Sequence, residues 1–304
     1  MEYSIIIPVF NSESTLLELF NRLQKVISSV SSSYEIIFVD DYSRDDSWKK
    51  LNEIYELDPK IVKIIRLSKN FGQHNATLCG LRNSKGSMIF TMDDDLQFDP
   101  EDFTKLVLKQ KETSADVVYG TTKSTNNMYR KVGSRIVKHY STKIDNGVGE
   151  ASSFRLVTRV VVDRIIQHPM PFVHIDEILY WHTSFISYTP INHHLRPSGK
   201  SGYTVKKIAS FISGSTWNYG VWPLTLMIYG GLFLAFISAI IGVYFIYKKF
   251  THGTPVPGFT ALIAAILFST SLILICFGII GHYISNMYSI VYKKPSYSIR
   301  EKKD

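Results

Sequence analysis

Three adjacent aspartates, Asp93, Asp94 and Asp95, follow the apolar run "SMIFTM" and lead into Gln97 and the pair Asp99–Pro100. Like charges packed side by side repel unless something positive answers them. The D-x-D spacing of Asp93 and Asp95 suits one hard divalent cation, Mg²⁺ or Mn²⁺, with Gln97 adding a neutral oxygen. Such ions are commonly shared with substrate phosphates. An acidic surface loop capping the next helix is the ordinary reading of an isolated D-x-D. What favours the ion is a second acidic pair, Asp40/Asp41, that ends an earlier apolar run in the same way.

Those carboxylates need a frame. Short β-rich runs at 3–10, 34–40, 61–67, 87–92 and 115–120 are apolar nearly throughout, as strands covered on both faces are. Helical patterns separate them at roughly 14–30, 46–57, 73–83 and 100–112, the last with Asp99 as N-cap and Pro100 at the first helical position. The alternation predicts an α/β fold with a mostly parallel, Rossmann-like sheet. Ligands bind such sheets at the carboxyl ends of strands, where Asn11, Asp40/Asp41 and Asp93–Asp95 all fall. Dinucleotide-binding and P-loop glycine patterns are missing, as are a nucleophile elbow and a zinc-protease motif. Cys79 and Cys276 suggest neither a disulfide framework nor a metal knuckle.

The last third has a different character. Residues 1–207 carry 27 Lys/Arg against 24 Asp/Glu, whereas residues 208–304 carry 7 against 2. Between Lys207 and Lys248 lie 40 residues without an Asp, Glu, Lys or Arg, and between Lys249 and Lys293 another 43. A membrane span needs about 20 apolar residues, so spans are expected near 221–247 and 259–284, with aromatic rims and flanking lysine pairs. The excess of Lys/Arg on the side of the N-terminal domain places that domain in the cytoplasm, under a multi-pass attachment to the cytoplasmic membrane. The expected organisation is a catalytic domain at 1–202, an interfacial amphipathic helix at 203–220, a membrane region at 221–292 and a basic tail at 293–304. No signal peptide and no nucleic-acid partner are expected. The paired spans leave room for a homo-oligomer.

Four stretches, "SIIIPVFNSESTL", "EIIFVDDYSRDDSW", "LSKNFGQHNATLCGL" and "TMDDDLQFDPEDF", in this order and spacing, resemble the inverting family-two glycosyltransferases of the GT-A fold. Within them, the membrane end "GIIGHYISNMYSIVYKKPSY" is similar to the polyprenyl-phosphate glycosyltransferases, relatives of dolichyl-phosphate mannose synthase. The resemblance implies transfer of a sugar from a nucleotide donor, expected to be UDP-linked, to polyprenyl (undecaprenyl) phosphate. By the same resemblance, Pro8, Phe10 and Asn11 line the nucleotide cleft, and Asp40 or Asp41 accepts from the base. Asp93, Asp95 and Gln97 ligate the metal on the donor diphosphate, and Asp94 sits in the variable middle of the motif. Arg130 and Ser134, at i and i+4, match the family's acceptor-phosphate pair.

Two departures accompany the resemblance. "RPSGKSGYTVKKI" matches a donor-closing loop at Arg196, Gly199 and Ser201, but the family lysine is displaced to Lys200. Relatives often carry an acidic residue, proposed as a base, shortly before the F-R of "EASSFRL"; here Ser153 stands there, leaving Glu150, Asp176 and Glu177 as candidates. A phosphate monoester with a second pKa of about 6 is already an anionic nucleophile near neutral pH, so the loss can be borne. Direct transfer to a growing glycan is the rival enzymatic reading, disfavoured by the absence of Q-x-x-R-W. A non-catalytic membrane protein that binds nucleotide sugars is the other.

Overall fold

The computed structural model describes residues 1–121, 152–167, 174–194, 258–292 and 295–304, with scattered positions between 227 and 251. Met1–Gly199 together with Pro295–Asp304 form one compact unit, and Lys200–Lys294 a second.

The first unit is built on an eight-stranded sheet. In chain order it contains β1 (Tyr3–Val9), α1 (Leu16–Val30), β2 (Tyr34–Asp40), α2 (Ser47–Leu57), β3 (Val62–Leu67), α3 (Gln73–Asn83), β4 (Met88–Thr91), α4 (Phe103–Thr113) and β5 (Val117–Thr121). After these come β6 (Arg155–Thr158), α5 (Arg159–Ile166), α6 (Ile175–His182), β7 (Ile186–Pro190) and, beyond the second unit, β8 (Ile299–Lys303). The strand order is β7-β5-β6-β4-β1-β2-β3-β8. β4, β1, β2 and β3 run parallel, as do β5 and β7, while β6 runs against both its neighbours and β8 against β3.

All seven residues of β1 and of β2 are buried, the signature of strands sandwiched between helix layers. One layer rests on a stripe of α1, with Leu16, Leu19, Phe20, Leu23, Val26 and Ile27 spaced three and four apart against Ile5, Ile7 and Phe38. The opposite face holds Ile6, Leu78, Leu81, Tyr119 and Ile178. Gly86 brings the chain back so close to β1 that a Cβ would lie 2.5 Å from the Ser4 nitrogen.

Three strands, β6, β7 and β8, lie beyond the five expected ones. The basic tail expected at 293–304 contributes the last of them, extended along the sheet edge with Ile64 opposite Lys303. The helix expected from Pro100 opens with a 3-10 turn, Pro100–Asp102. Asp99 precedes it but makes no side-chain cap hydrogen bond; its carboxylate instead receives Arg22 at 2.9 Å.

In the second unit, α7 (Phe259–Val291) runs 33 residues, and its stretch Phe268–Ser285 has a mean hydropathy of 1.7. Among the described residues it is the one helix long and apolar enough to cross a bilayer. The first expected span, 221–247, is described only at scattered positions, and the expected interfacial segment 203–220 lies outside the described residues.

Candidate active site

Strand order reverses at β1: β2 and β3 are laid down on one side of it and β4 on the other. The crevice at the carboxyl ends of β1 and β4 is therefore where an open α/β sheet binds ligands. The D-x-D loop leaves β4 there. Asp94 accepts the Phe10 N–H at 3.0 Å, and its carbonyl accepts the Thr15 hydroxyl at 2.7 Å, so the middle aspartate ties the β4 loop to the β1 loop. Asp93 accepts from the Gln73 side-chain amide and, at 2.7 Å, from the Ser153 hydroxyl. Asp95 is half-buried and accepts the Gln97 N–H at 3.1 Å across a tight turn. Leu96 between them has a φ of 54°, a strained conformation for a bulky residue, and is held there by its 5% exposure. On the outer side, the Gln97 carbonyl accepts the His194 N–H at 2.8 Å.

The second acidic pair closes the other end of the cleft. Asp41 accepts the Phe71 and Gly72 N–H groups at 2.7 and 2.8 Å, and Gly72 meets it with a φ of 89°. Asp40 accepts the Ser43 N–H at 3.0 Å and pairs with Arg66 at 3.1 Å. Arg66 in turn faces the rings of Tyr42 and Trp48. Both carboxylates thus accept hydrogen bonds within the protein and brace the loops at this end of the cleft. Asn11, with a φ of 54°, accepts the Arg44 N–H at 2.8 Å and joins the β1 loop to the β2 loop. Phe10 is 45% exposed beside it, and Pro8 lines a cavity of about 160 Å³ that also reaches Asp93, His74 and Arg155.

A buried polar pair lies at that cavity. Arg155 on β6 is buried and paired with Asp176 on α6, which also accepts the Tyr119 hydroxyl at 3.0 Å. Asp176, a candidate base by sequence, is therefore committed to a structural pair. Strand alternation could have hinted at this: Phe154 and Leu156 enter one core face, which leaves Ser153 and Arg155 on the other.

Residues 4–166 match the family model "Glycosyl transferase family 2", more than half of the chain. The chain belongs to glycosyl transferase family 2. Its α/β fold, with a mostly parallel sheet, is the frame of this family-two glycosyltransferase. It is 32% identical to an uncharacterised glycosyltransferase of Synechocystis sp., over 99% of this chain and 95% of that one. It is 29% identical to the SfII prophage-derived bactoprenol glucosyl transferase of Shigella flexneri, over 99% and 98%. It is 28% identical to the prophage bactoprenol glucosyl transferase homolog of Escherichia coli, over the full length of both. Among solved structures, glucosyl-3-phosphoglycerate synthase from Mycobacterium tuberculosis matches at a TM-score of 0.49 and 14% identity, over 72% of this chain and 78% of that one.

In this glycosyltransferase the carboxyl of Asp93 is pushed up to about 7 and that of Asp94 up to about 6, by burial first and by the neighbouring aspartates in addition. A raised carboxyl value means that the folded chain keeps protons the unfolded chain has released. The pair therefore weakens the fold as pH climbs from about 4 toward 7, the range between ordinary and shifted values. A divalent ion at the loop relieves that repulsion, so Mn²⁺ is expected to raise the melting temperature more at about pH 8 than at about pH 5.5. Thermal unfolding with and without the ion checks this, and equal shifts at the two pH values would count against an ion at Asp93 and Asp95. Arg130, Ser134, Arg196 and Lys200 lie outside the described residues.

Proposed function

We propose that the protein transfers a hexose from a UDP-sugar to undecaprenyl phosphate, with inversion at the anomeric carbon, at the cytoplasmic face of the membrane. The observation that carries this reading is end-to-end similarity to bactoprenol glucosyl transferases, at 28–29% identity over nearly the whole of each chain. The D-x-D loop in the crevice of a family-two domain, joined to a chain whose C-terminal third is built of long uncharged runs, supports it.

The donor lies across the carboxyl ends of β1 and β4, with Pro8, Phe10 and Asn11 along the nucleotide and Asp40 and Asp41 holding the loops that shape its cleft. Asp93, Asp95 and Gln97 offer hard oxygens that fit Mg²⁺ or Mn²⁺. Among the described residues no three His, Cys, Asp or Glu side chains gather to hold an ion by themselves, so oxygens of the donor diphosphate would complete the shell. When bound, the ion supplies charge stabilisation for the departing nucleoside diphosphate. Asp94 keeps the β1 and β4 loops in register.

On the acceptor side, Arg130 and Ser134 hold the lipid phosphate and Arg196 and Lys200 close over the donor, two spans near 221–247 and 259–284 keeping the domain at the surface. Asp176 is paired with Arg155, and the attacking oxygen is the phosphate's own anion, which near neutral pH is nucleophilic without a protein base. In-line placement of that oxygen against the leaving group supplies much of the rate. The test is to incubate membranes containing the protein with undecaprenyl phosphate and a panel of nucleotide sugars, then identify products by mass spectrometry. A phosphate-linked hexosyl lipid is expected; sugar found only on a saccharide would overturn the acceptor.

A further inference from the structure

One short run of chain, residues 66–73, touches Asp40, Asp41 and Asp93 in turn. Arg66 pairs with Asp40 at 3.1 Å, the Phe71 and Gly72 N–H groups donate to Asp41 at 2.7 and 2.8 Å, and the Gln73 amide donates to Asp93. The run ends β3 and opens α3, and the C-terminal tail lies along it. Glu301 stands opposite Arg66 and Ile299 opposite Leu67, so Arg300 is an extra residue in β8, a bulge beside the arginine that reaches Asp40. Bulges re-aim neighbouring side chains and are common next to active sites. The Ser298 carbonyl then accepts the Ser68 N–H at 2.8 Å, which carries the pairing one residue past β3. Tyr297 and Phe71 pack against the same apolar cluster, which includes Leu67, Ala76 and Cys79. The Arg82 guanidinium sits 5.4 Å from the Tyr297 ring, near the far end of the helix whose first turn carries Gln73 and His74.

The turn between these anchors is not packed in place by its own atoms. Lys69 and Asn70 are exposed, and a Cβ added at Gly72 would meet nothing within 4 Å. Its position is therefore set from its flanks, by the Ser68 backbone and by the cluster under Phe71, and the tail contributes to both. Surface turns with few buried contacts open locally at low cost, so one ring more or less in that cluster matters.

We propose that the tail is part of the frame of the donor site and that Tyr297 is a positioning residue, acting through Phe71 and Gly72 on Asp41 and through α3 on Gln73 and Asp93. The inference rests on the glycosyltransfer reading for its ligand and goes beyond it by giving residues 297–301 a part in donor binding. Without the Tyr297 ring the 68–73 turn spends less time in the arrangement that holds the two aspartates. Apparent affinity falls by the fraction of time lost.

The experiment compares the full-length wild type with Tyr297→Ala, Tyr297→Phe and Leu23→Ala, the last a buried cut in α1 remote from the tail. Two quantities are measured: amide hydrogen exchange at Phe71 and Gly72 relative to that of β1, and calorimetric affinity for UDP in the presence of Mn²⁺. Tyr297→Ala is expected to raise the relative exchange about tenfold and to weaken UDP binding about tenfold. Tyr297→Phe keeps the ring and is expected to stay within about twofold of wild type in both. Leu23→Ala is expected to lower the melting temperature while leaving the exchange ratio and the UDP affinity as in wild type, which separates positioning from a general loss of stability. Unchanged relative exchange in Tyr297→Ala, a loosened turn with unaltered UDP affinity, or an equal loss of affinity in Leu23→Ala would each overturn the assignment. A wild type that binds no UDP, with Phe71 and Gly72 still loosened by Tyr297→Ala, would instead strike the donor proposed above and leave the hold of the tail on the turn standing.

Discussion

Asp95→Asn is expected to lower sugar transfer to undecaprenyl phosphate by about three orders of magnitude, the loss typical of removing a principal stabiliser of developing charge. The substitution is chosen for what it spares. The Asp95 carboxylate accepts the Gln97 N–H at 3.1 Å, and an asparagine oxygen can keep that turn bond, so the loop survives while one negative charge goes. Asp93→Asn would be less informative, because both Asp93 oxygens accept hydrogen bonds and an amide must set its NH₂ against one of the donors, Gln73 or Ser153. Initial rates with labelled donor in proteoliposomes, beside melting temperature, give the answer. Transfer within tenfold of wild type at unchanged stability would remove Asp95 from the metal set.

The second large effect concerns stability. Glu35 on β2 is 1% exposed, accepts the Ser4 hydroxyl and the Lys85 N–H, both at 2.6 Å, and forms an ion pair with Lys63 at 2.7 Å. It therefore joins β1, β2, β3 and the turn that leads into β4. Glu35→Ala is expected to cost about 3–5 kcal/mol, because it strands Lys63 and two buried donors together. Burial alone would raise the carboxyl's value, but Lys63, Ser4 and Lys85 outweigh it and hold it below the ordinary glutamate range. A lowered value contributes stability that is present above the ordinary glutamate value and is lost as pH falls through the lower, folded one. Denaturation of the wild type is expected to show this acid-side loss, and Glu35→Ala to lack that component. A cost below about 1 kcal/mol would mean that the strands do not depend on this junction.

Which parts of this molecule can be read from its sequence follows from how each is stabilised. β1 and β2 announce themselves because both their faces are buried, leaving seven-residue runs with little polar interruption. β7, "ISYTP", has mostly half-buried residues and is short, so its pattern is weak. β8, "IREKK", is held by backbone pairing to an edge strand and by charged side chains, and no hydrophobic period marks it. Within the site, Asp93 and Asp95 stood out by their spacing at a strand end together with the second acidic pair Asp40/Asp41, because charge spacing along the chain is a local property. The role of Asp94 was not legible: its partners, Phe10 and Thr15, come from the loop after β1. Nor was the Arg155–Asp176 pair, which no motif links and which only the packing of α6 against β6 brings together.

The edge strand has one more consequence, in the order of events. β8 leaves the ribosome after α7, yet it pairs with β3, so that Ile299 completes a ladder at Leu67. Tyr297, just before it, packs beneath Arg82 and against the apolar residues that cover the sheet. The sheet therefore keeps one edge open until the residues that follow α7 have been made. A chain cut short before Ile299 leaves the β3 edge unpaired, an open ladder of the kind that recruits foreign strands.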